Sequence, residues 1–192
     1  MLAKIKKYWL EYIFVFLLIN AFLCAIGFVH EEIPISRHKL VNEDLQWEDM
    51  ELDLYLERIR QIPNIFILMV GSELDDSLFS SEVIRELENM SLTQIGEAKK
   101  PITGIIAVWQ NEGIRYCETC NHDSIKYGAN IEQTYIFLES YDYLDNGYVY
   151  IDDALCSKGT TGLNIVVWNQ AKNSIMDSVN YSYKNGKIQI LR

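Results

Sequence analysis

An uncharged apolar run near the amino terminus constrains this chain more than any other feature. Residues 12–29 read YIFVFLLINAFLCAIGFV, with Asn20 as the one strongly polar side chain. A helix that rises ~1.5 Å per residue needs about this length to cross a hydrocarbon core of ~30 Å. Three lysines lie within residues 4–7, before the run, and Glu31 and Glu32 follow it. The basic side stays in the cytoplasm, so the sequence predicts a single-pass anchor with the rest of the chain outside the membrane.

A cleaved signal peptide is the alternative interpretation of this run. Ala25 and Gly27 form a small-x-small pattern that would allow cleavage after Gly27. Against it, the run is longer than the usual ~7–15 residue apolar core of a signal peptide. Cys24 raises a lipoprotein interpretation, but Leu23 is a poor match to the small residue expected before it. The uncleaved anchor is therefore favoured.

The rest of the chain is long enough for one domain and is strongly acidic. We assign residues 1–29 to the membrane anchor, residues 30–45 to a juxtamembrane spacer, and residues 46–192 to one extracytoplasmic domain. The net charge is −10, and residues 1–28 hold three Lys and one Glu, which leaves about −12 on the remainder. Such a surface repels nucleic acid, so no nucleic-acid partner is expected. Neutral glycans, cations or basic protein surfaces are more suitable partners for an acidic surface than nucleic acid is.

The first part of the domain has the patterns of helices and buried strands. Residues 49–62 have the apolar spacing of an amphipathic helix that stops before a proline. Residues 65–70 (IFILMV) predict a strand that is buried on both faces. Ser80 is placed to cap a second helix, SSEVIRELENM, over residues 80–90. Residues 105–117 predict a hairpin, with the buried strand IIAVW, a turn, and a return strand.

From Gln133 onward the sequence predicts only strands and turns. The runs TYIFLES, YVYIDD, GLNIVVW, SIMDSVNYSY and KIQIL are separated by short segments rich in Asn, Asp and Gly. The alternation in YVYID and SVNYSY predicts antiparallel strands with one face in water. Helices and buried strands followed by pure β structure indicate an α+β domain.

The cysteines give no strong signal for a metal or a redox site. Cys117 and Cys120 form YCETC, and Cys156 stands alone. A zinc site needs a second pair of ligands at recognisable spacing, and only His122 and Cys156 are at hand. A redox CxxC motif should lie at the start of a helix, but NHDS, the sequence after this motif, is not typical of a helix. Two thiols or one local disulfide is the favoured interpretation, with no bound metal.

Two stretches of the chain resemble the interleukin-like EMT inducer (ILEI) domain. TTGLNIVVWNQAKNSIMDSVNY is similar to that family's Gly-Leu-Asn-Ile/Val-Val-Val strand, turn and Val-Ile-Asp-Ser-Val return, at residues 162–167 and 175–179. Residues 53–91 are similar to the family's helix, strand, Asp-rich loop and helix, with Asp75 and Asp76 at its acidic pair. YVYIDDALCS resembles the family's Ile-x-Ile-Asp-Gly strand and turn, and TGIIAVWQNEGIRY its closing hairpin.

The order of the two stretches departs from the family, in which the GLNIVV stretch comes first. Either the domain is circularly permuted, or two half-domains complete each other between chains; one copy of each half favours permutation. The resemblance implies a sandwich-like core of two antiparallel sheets with flanking helices. It implies no catalysis and no cofactor. Family members include secreted cytokine-like proteins, and a related module is the sugar-binding stem of a protein O-mannose N-acetylglucosaminyltransferase.

Asp75 and Asp76 are the first candidates for chemistry. Two carboxylates can act as acid and base in glycoside hydrolysis when ~5–9.5 Å separates them across a bond. Adjacent residues in a loop rarely face each other in that way, so a solvated turn ahead of the helix is favoured. No Ser or Cys nucleophile has a motif around it, and no catalytic residue is assigned.

Aromatic residues are the better candidates for ligand binding, because sugars stack their C–H faces on rings beside polar partners. The chain has 12 Tyr and 4 Trp. Trp168, Tyr141 and Tyr143 lie near predicted strand ends or turns and are the expected ligand contacts, together with Asp75 and Asp76.

The sequence thus predicts a non-catalytic, membrane-anchored recognition domain outside the cell that binds a surface glycan or a glycan-handling partner. One alternative is an accessory subunit that docks a membrane enzyme without a glycan site. A carbohydrate hydrolase using Asp75 or Asp76 is the other alternative.

Overall fold

A computed structural model describes most of the predicted domain. It covers residues 47–96, 101–111, 113–121, 123–141 and 146–192. The anchor predicted for residues 12–29 and the spacer at residues 30–45 lie outside the described residues. Among the helices of the described ranges, none is long and apolar enough to cross a membrane.

The first described helix, α1 (Leu52–Arg60), forms because its apolar residues recur on one face. It begins three residues after Asp49 and ends before Pro63, close to the predicted bounds. Leu54, on the opposite face, is 52% exposed. The buried side chains follow i, i+3, i+4, i+7 spacing: Leu52, Tyr55, Leu56 and Ile59.

Three short helical segments follow the first strand. The Ser80 hydroxyl accepts a hydrogen bond from the Val83 N–H at 3.3 Å, which confirms the predicted cap. Val83 and Leu87 are buried, whereas Ile84 is only partly buried. The segments are a 3-10 turn (Asp76–Leu78), α2 (Ser81–Asn89) and α3 (Thr93–Gly96).

The described residues contain two antiparallel sheets. The strands are β1 (Phe66–Ser72), β2 (Gly104–Gln110), β3 (Gly113–Cys120), β4 (Ser124–Ile131), β5 (Thr134–Tyr141), β6 (Asn146–Ile151), β7 (Ala154–Leu155), β8 (Gly162–Asn169), β9 (Ser174–Lys184) and β10 (Lys187–Leu191). Sheet A has six strands in the order β10-β9-β8-β1-β2-β3, and sheet B has four in the order β4-β5-β6-β7. The predicted α+β class, with two antiparallel sheets and a few helices, is confirmed.

Sheet A is covered on both faces. On one face, Ile67 and Met69 of β1 share a core with the apolar residues of α1 and α2. On the other face, Leu68 shares a core with Ile136 and Val149 of sheet B. The described fold therefore has three layers, which are helices, sheet A and sheet B. A central strand of such a fold is buried on both sides, which explains the unbroken apolar runs of β1, β2 and β8.

The two stretches that carry the family resemblance meet in the middle of sheet A. β1 pairs antiparallel with β8, from Phe66 opposite Trp168 to Ser72 opposite Gly162. The GLNIVVW strand therefore completes the sheet of the IFILMV strand within one chain, as expected if both halves share one core.

Two strand predictions need correction. β9 was expected to have one face in water, but Ser178 and Asn180 are buried on that face. Their side chains donate to the carbonyls of Cys156 at 2.6 Å and Thr161 at 2.8 Å, because the segment between β7 and β8 covers them. β4 was not predicted at all, since its sequence, SIKYGANI, contains a central glycine. The alternation expected in YVYID is confirmed in β6.

Candidate functional site

The outer face of sheet B carries a row of aromatic side chains. Burial alternates along β5 and β6, so every second residue points away from the core. The inward set is buried and includes the aliphatic residues Ile136 and Val149. The outward set forms what we call the aromatic face: Tyr135, Phe137 and Tyr141 of β5, with Tyr148 and Tyr150 of β6.

Four rings of the aromatic face, those of Tyr135, Phe137, Tyr150 and Tyr148, form a continuous strip. Ring centroids are 6.5 Å apart between Tyr135 and Phe137, and 6.1 Å apart between Phe137 and Tyr150. The strip continues to Tyr148, whose centroid is 6.0 Å from that of Tyr150. Phe137 and Tyr150 are direct cross-strand partners, which explains their contact. Tyr135 is 38% exposed, so the strip presents ring surface to solvent.

A glycine in the neighbouring strand makes room for one of these rings. A Cβ at Gly128 of β4 would meet the Tyr135 hydroxyl oxygen at 2.6 Å, so the hydroxyl end of this side chain lies over the glycine. Gly128 weakens the strand pattern in the sequence of β4, and the absence of its side chain leaves the space that the Tyr135 hydroxyl occupies.

A charged pair lies at one end of the strip. The Lys126 ammonium pairs with Glu139 and donates a hydrogen bond to the Tyr141 hydroxyl. It also lies 4.6 Å from the centroid of the Tyr141 ring. The hydrogen bond to Glu139, followed by that to Tyr141, raises the pKa of Lys126 to about 12. The aromatic strip therefore ends in a fixed cation and carboxylate that can hydrogen-bond to the hydroxyl groups of a ligand.

A cleft of about 480 Å³ opens beside β4, between the two sheets. Amide, guanidinium and aromatic side chains line it, including Gln110, Arg115, Tyr127 and Asn130. The Arg115 guanidinium is held in place, since its Nε donates to Gln110 Oε1 at 3.0 Å. Asn130 pairs across the strands with Tyr135, so the cleft adjoins the aromatic face.

The structure distributes the predicted ligand residues over different places. Tyr141 lies on the aromatic face, and Tyr143 falls outside the described residues. Trp168 is fully buried, with its ring centroid 5.4 Å from that of Phe66. A ring without exposed area offers no face to a ligand, because β8 is central in sheet A and sheet B covers it. The expectation for Trp168 is therefore corrected: it is a core residue.

Asp75 and Asp76 lie after the end of β1, away from the outer face of sheet B. Asp75 caps the 3-10 turn, where its Oδ1 accepts from the Ser77 N–H at 2.8 Å. Hydrogen bonds from Ser77 lower the pKa of Asp75. Asp76 is exposed in the first turn. This geometry is that of a solvated capping turn, and it does not bring either carboxylate to Tyr141.

Cys117 and Cys120 lie on opposite faces of β3. Cys117 packs against the core beneath the helices, and Cys120 packs against the core between the sheets. A local disulfide between them is therefore excluded by geometry. Burial raises the pKa of Cys117 and of Cys156 to about 11, so both thiols stay protonated at neutral pH. In the described part of the chain, no group of three or more His, Cys, Asp or Glu could hold a metal.

Sequence reasoning missed most of the aromatic face, although a signal for it exists. In TYIFLESY the outward positions of β5 are Tyr135, Phe137, Glu139 and Tyr141. In the next strand, Tyr148 and Tyr150 occupy the same face. Two successive strands with aromatic residues at every second position predict a shared aromatic surface once the strands are known to pair.

Comparison of the chain with protein-family models, with curated proteins and with solved structures gave no match. Function is therefore inferred from the geometry of the chain itself.

Proposed function

We propose that this chain is a non-catalytic recognition protein that binds a glycan on the aromatic face of sheet B. The membrane anchor at residues 12–29 would display the domain outside the cell, with the amino terminus in the cytoplasm. The aromatic strip is the observation that carries the proposal.

The shape of the aromatic face suits an extended ligand. The rings lie on an open sheet surface, so several sugar units could stack along the strip from Tyr135 toward Tyr148. Stacking on aromatic rings uses the apolar C–H faces of a sugar. Lys126 and Glu139 at the end of the strip provide the donor and acceptor that hydroxyl groups need.

Charge and the family resemblance support the same conclusion. With a net charge of −10, the chain is better suited to a neutral glycan than to a polyanion. The resemblance to the ILEI family, in a circularly permuted order, supports a role in recognition. One module related to that family binds sugar. The accessory-subunit alternative predicts no glycan binding, and the hydrolase alternative requires facing carboxylates, which Asp75 and Asp76 do not provide.

A glycan array tests the proposal with the full-length chain in detergent. We expect selective binding to a small set of neutral glycans, followed by measurable affinity for the best of them. Tyr135→Ala and Tyr148→Ala should each weaken that affinity about tenfold or more, because each removes a stacking surface. Thermal unfolding measured in parallel should change little for Tyr135→Ala, since this ring is 38% exposed.

Leu54→Ala provides the matched control, because Leu54 is also an exposed apolar residue but lies on α1. It should leave glycan affinity unchanged. Absence of binding to any glycan on the array would contradict the proposal and favour the accessory-subunit alternative. Turnover of a bound oligosaccharide would instead favour a hydrolase.

A further inference from the structure

β10 is an edge strand of sheet A with less protection than the other described edges carry. Free sheet edges pair with other strands unless charges, bulges or shortness prevent it. β3, at the opposite edge, has the exposed charges Arg115 and Glu118 and pairs through a register shift. In sheet B, β4 carries Lys126, and β7 has only two residues.

The sequence of β10 has few of the features that prevent an edge strand from pairing. After Lys187 it reads Ile-Gln-Ile-Leu. Ile188 is 44% exposed and Leu191 is 52% exposed. Within the described residues, β10 pairs with β9 alone. No other described strand pairs with the outer backbone groups of β10, which therefore present donors and acceptors for an added strand.

A groove of about 610 Å³ runs beside this edge, toward the amino-terminal ends of α1 and α2. Its apolar lining comes from buried residues such as Leu52, Leu78 and Val83. The groove lining includes three carboxylates, those of Glu51, Asp53 and Glu82, and one amine, that of Lys187. The groove is therefore apolar inside and acidic along its sides.

Charge decides between the occupants that could fill this groove. A second copy of the chain would bring the same carboxylates and a net charge of −10 against its partner, which disfavours self-pairing. An extended segment with alternating apolar and basic residues satisfies the edge, the apolar lining and the carboxylates together. It hydrogen-bonds to β10, places apolar side chains in the groove and sets Lys or Arg near Glu51 and Asp53.

We propose that β10 and this acidic groove form a docking site for an extended, basic segment of a partner protein, which adds a strand to sheet A. The proposal is independent of glycan binding, because the aromatic face belongs to sheet B. It goes beyond recognition of a sugar and gives the domain a second, protein-binding edge.

A synthetic peptide of alternating Val and Lys, labelled with a fluorophore, tests the site on the full-length chain in detergent at low ionic strength. We expect saturable binding, and hydrogen exchange should slow at the amides of β10 but not at those of β3. Removing two carboxylates with Glu51→Gln and Asp53→Asn together should weaken binding about three- to tenfold. Ile188→Asn should weaken binding about tenfold or more, because it replaces an apolar side chain of the groove lining with a polar amide and adds no charge.

Control variants and peptides separate strand addition from general attraction to an acidic protein. Glu57→Gln with Glu88→Gln removes two exposed carboxylates from α1 and α2 outside the groove, and should leave affinity unchanged. A peptide of the same sequence with alternate backbone nitrogens methylated should bind at least tenfold more weakly, because it cannot complete the hydrogen-bonded ladder.

Four outcomes would overturn the proposal. The full-length chain could fail to bind the peptide, or it could bind the methylated peptide equally well. Light scattering could show a dimer that Ile188→Asn dissociates, which would make a second copy the occupant. Binding seen only after removal of residues 1–46 would make the chain's own amino-terminal segment the occupant.

Discussion

At the scale of single residues, buried polar side chains of β8 and β9 connect sheet A to the segments packed against it. Asn164, in the Gly-Leu-Asn motif, is fully buried. Its Oδ1 accepts from the Gly159 N–H at 3.0 Å, and its Nδ2 donates to the carbonyls of Gly159 at 2.9 Å and Gly147 at 3.2 Å. Because a buried amide must be satisfied, Asn164 fixes the segment between β7 and β8. The motif therefore has a structural role in this fold.

Asp177, in the Asp-Ser-Val motif, joins β9 to α1 in the same way. Its Oδ2 accepts a hydrogen bond from the Tyr55 hydroxyl at 2.8 Å. Arg192 pairs with the same carboxylate, and its guanidinium carbon lies 5.3 Å from the Tyr55 ring centroid. Arg192 also donates to the Glu48 carbonyl at 3.1 Å, which ties the start of the domain to its last strand.

This network predicts a loss of stability at high pH. Burial, followed by the Asp177 charge, raises the pKa of Tyr55 well above its ordinary value of 10.0. Above pH 10 the unfolded chain loses the Tyr55 proton while the folded chain keeps it. The unfolded state then binds fewer protons, so the free energy of unfolding falls as pH rises. At lower pH both states keep this proton, and Tyr55 contributes no pH dependence.

Tyr55→Phe should remove this tyrosine's share of the alkaline slope, up to about 1.4 kcal/mol per pH unit. Denaturant unfolding of both proteins from about pH 9 to about pH 11 measures it. Equal slopes in the two proteins would show that Tyr55 titrates alike in the folded and unfolded states.

Trp168 offers a test of its core assignment. Trp168→Ala should lower the free energy of unfolding by about 3–5 kcal/mol, because it leaves a large cavity between the sheets. The exposed Tyr135→Ala should cost less than about 1 kcal/mol. Denaturant unfolding compares the two. A stable Trp168→Ala protein with lost glycan affinity would return Trp168 to the binding site.

At the scale of elements, sequence patterns predicted the strands that are buried on both faces. IFILMV, IIAVW and GLNIVVW are unbroken apolar runs, and they became β1, β2 and β8 at the centre of sheet A. β9 was harder, because its polar face is satisfied by a loop distant in sequence and not by water. β4 was missed because of Gly128. This glycine leaves space for the Tyr135 side chain of β5, and that contact cannot be predicted from the local sequence of β4.

The central position of β1 predicts the order of amide exchange. β1 is paired along its whole length with β2 and with β8, and both of its faces are buried. Its amides should exchange only through global unfolding, whereas those of the edge strand β10 should exchange faster by local opening. Mass-spectrometric hydrogen exchange measures both segments. Equal rates in β1 and β10 would contradict this topology.

At the scale of the whole molecule, the candidate site depends on strand pairing. The sequence indicated aromatic ligand contacts, and Tyr141 does lie on the aromatic face. The rings of the strip could not be chosen from the chain's 12 Tyr and 7 Phe residues without knowing which strands are neighbours. Trp168 was misplaced for the same reason, because its burial depends on sheet B packing across sheet A.

The membrane orientation proposed for the chain can be tested in cells. If residues 12–29 span the membrane with the lysines of residues 4–7 inside, an external protease should cleave the domain in intact cells. Immunoblotting with a carboxyl-terminal tag follows the cleavage, and a cytoplasmic protein serves as the lysis control. Protection of the domain until the cells are lysed would reverse the assignment.

The most direct test of the central claim is to map the glycan on the protein. Full-length chain with isotopically labelled tyrosine rings, in detergent micelles, is titrated with the best glycan from the array while the ring signals are followed by NMR. Binding on the aromatic face predicts that the signals of Tyr135, Tyr148 and Tyr150 shift with one common affinity, while Tyr55 and Tyr181 stay unchanged in the core. Shifts confined to Tyr127, which lines the cleft, and to Tyr116, whose ring stacks on it with centroids 4.3 Å apart, would contradict it.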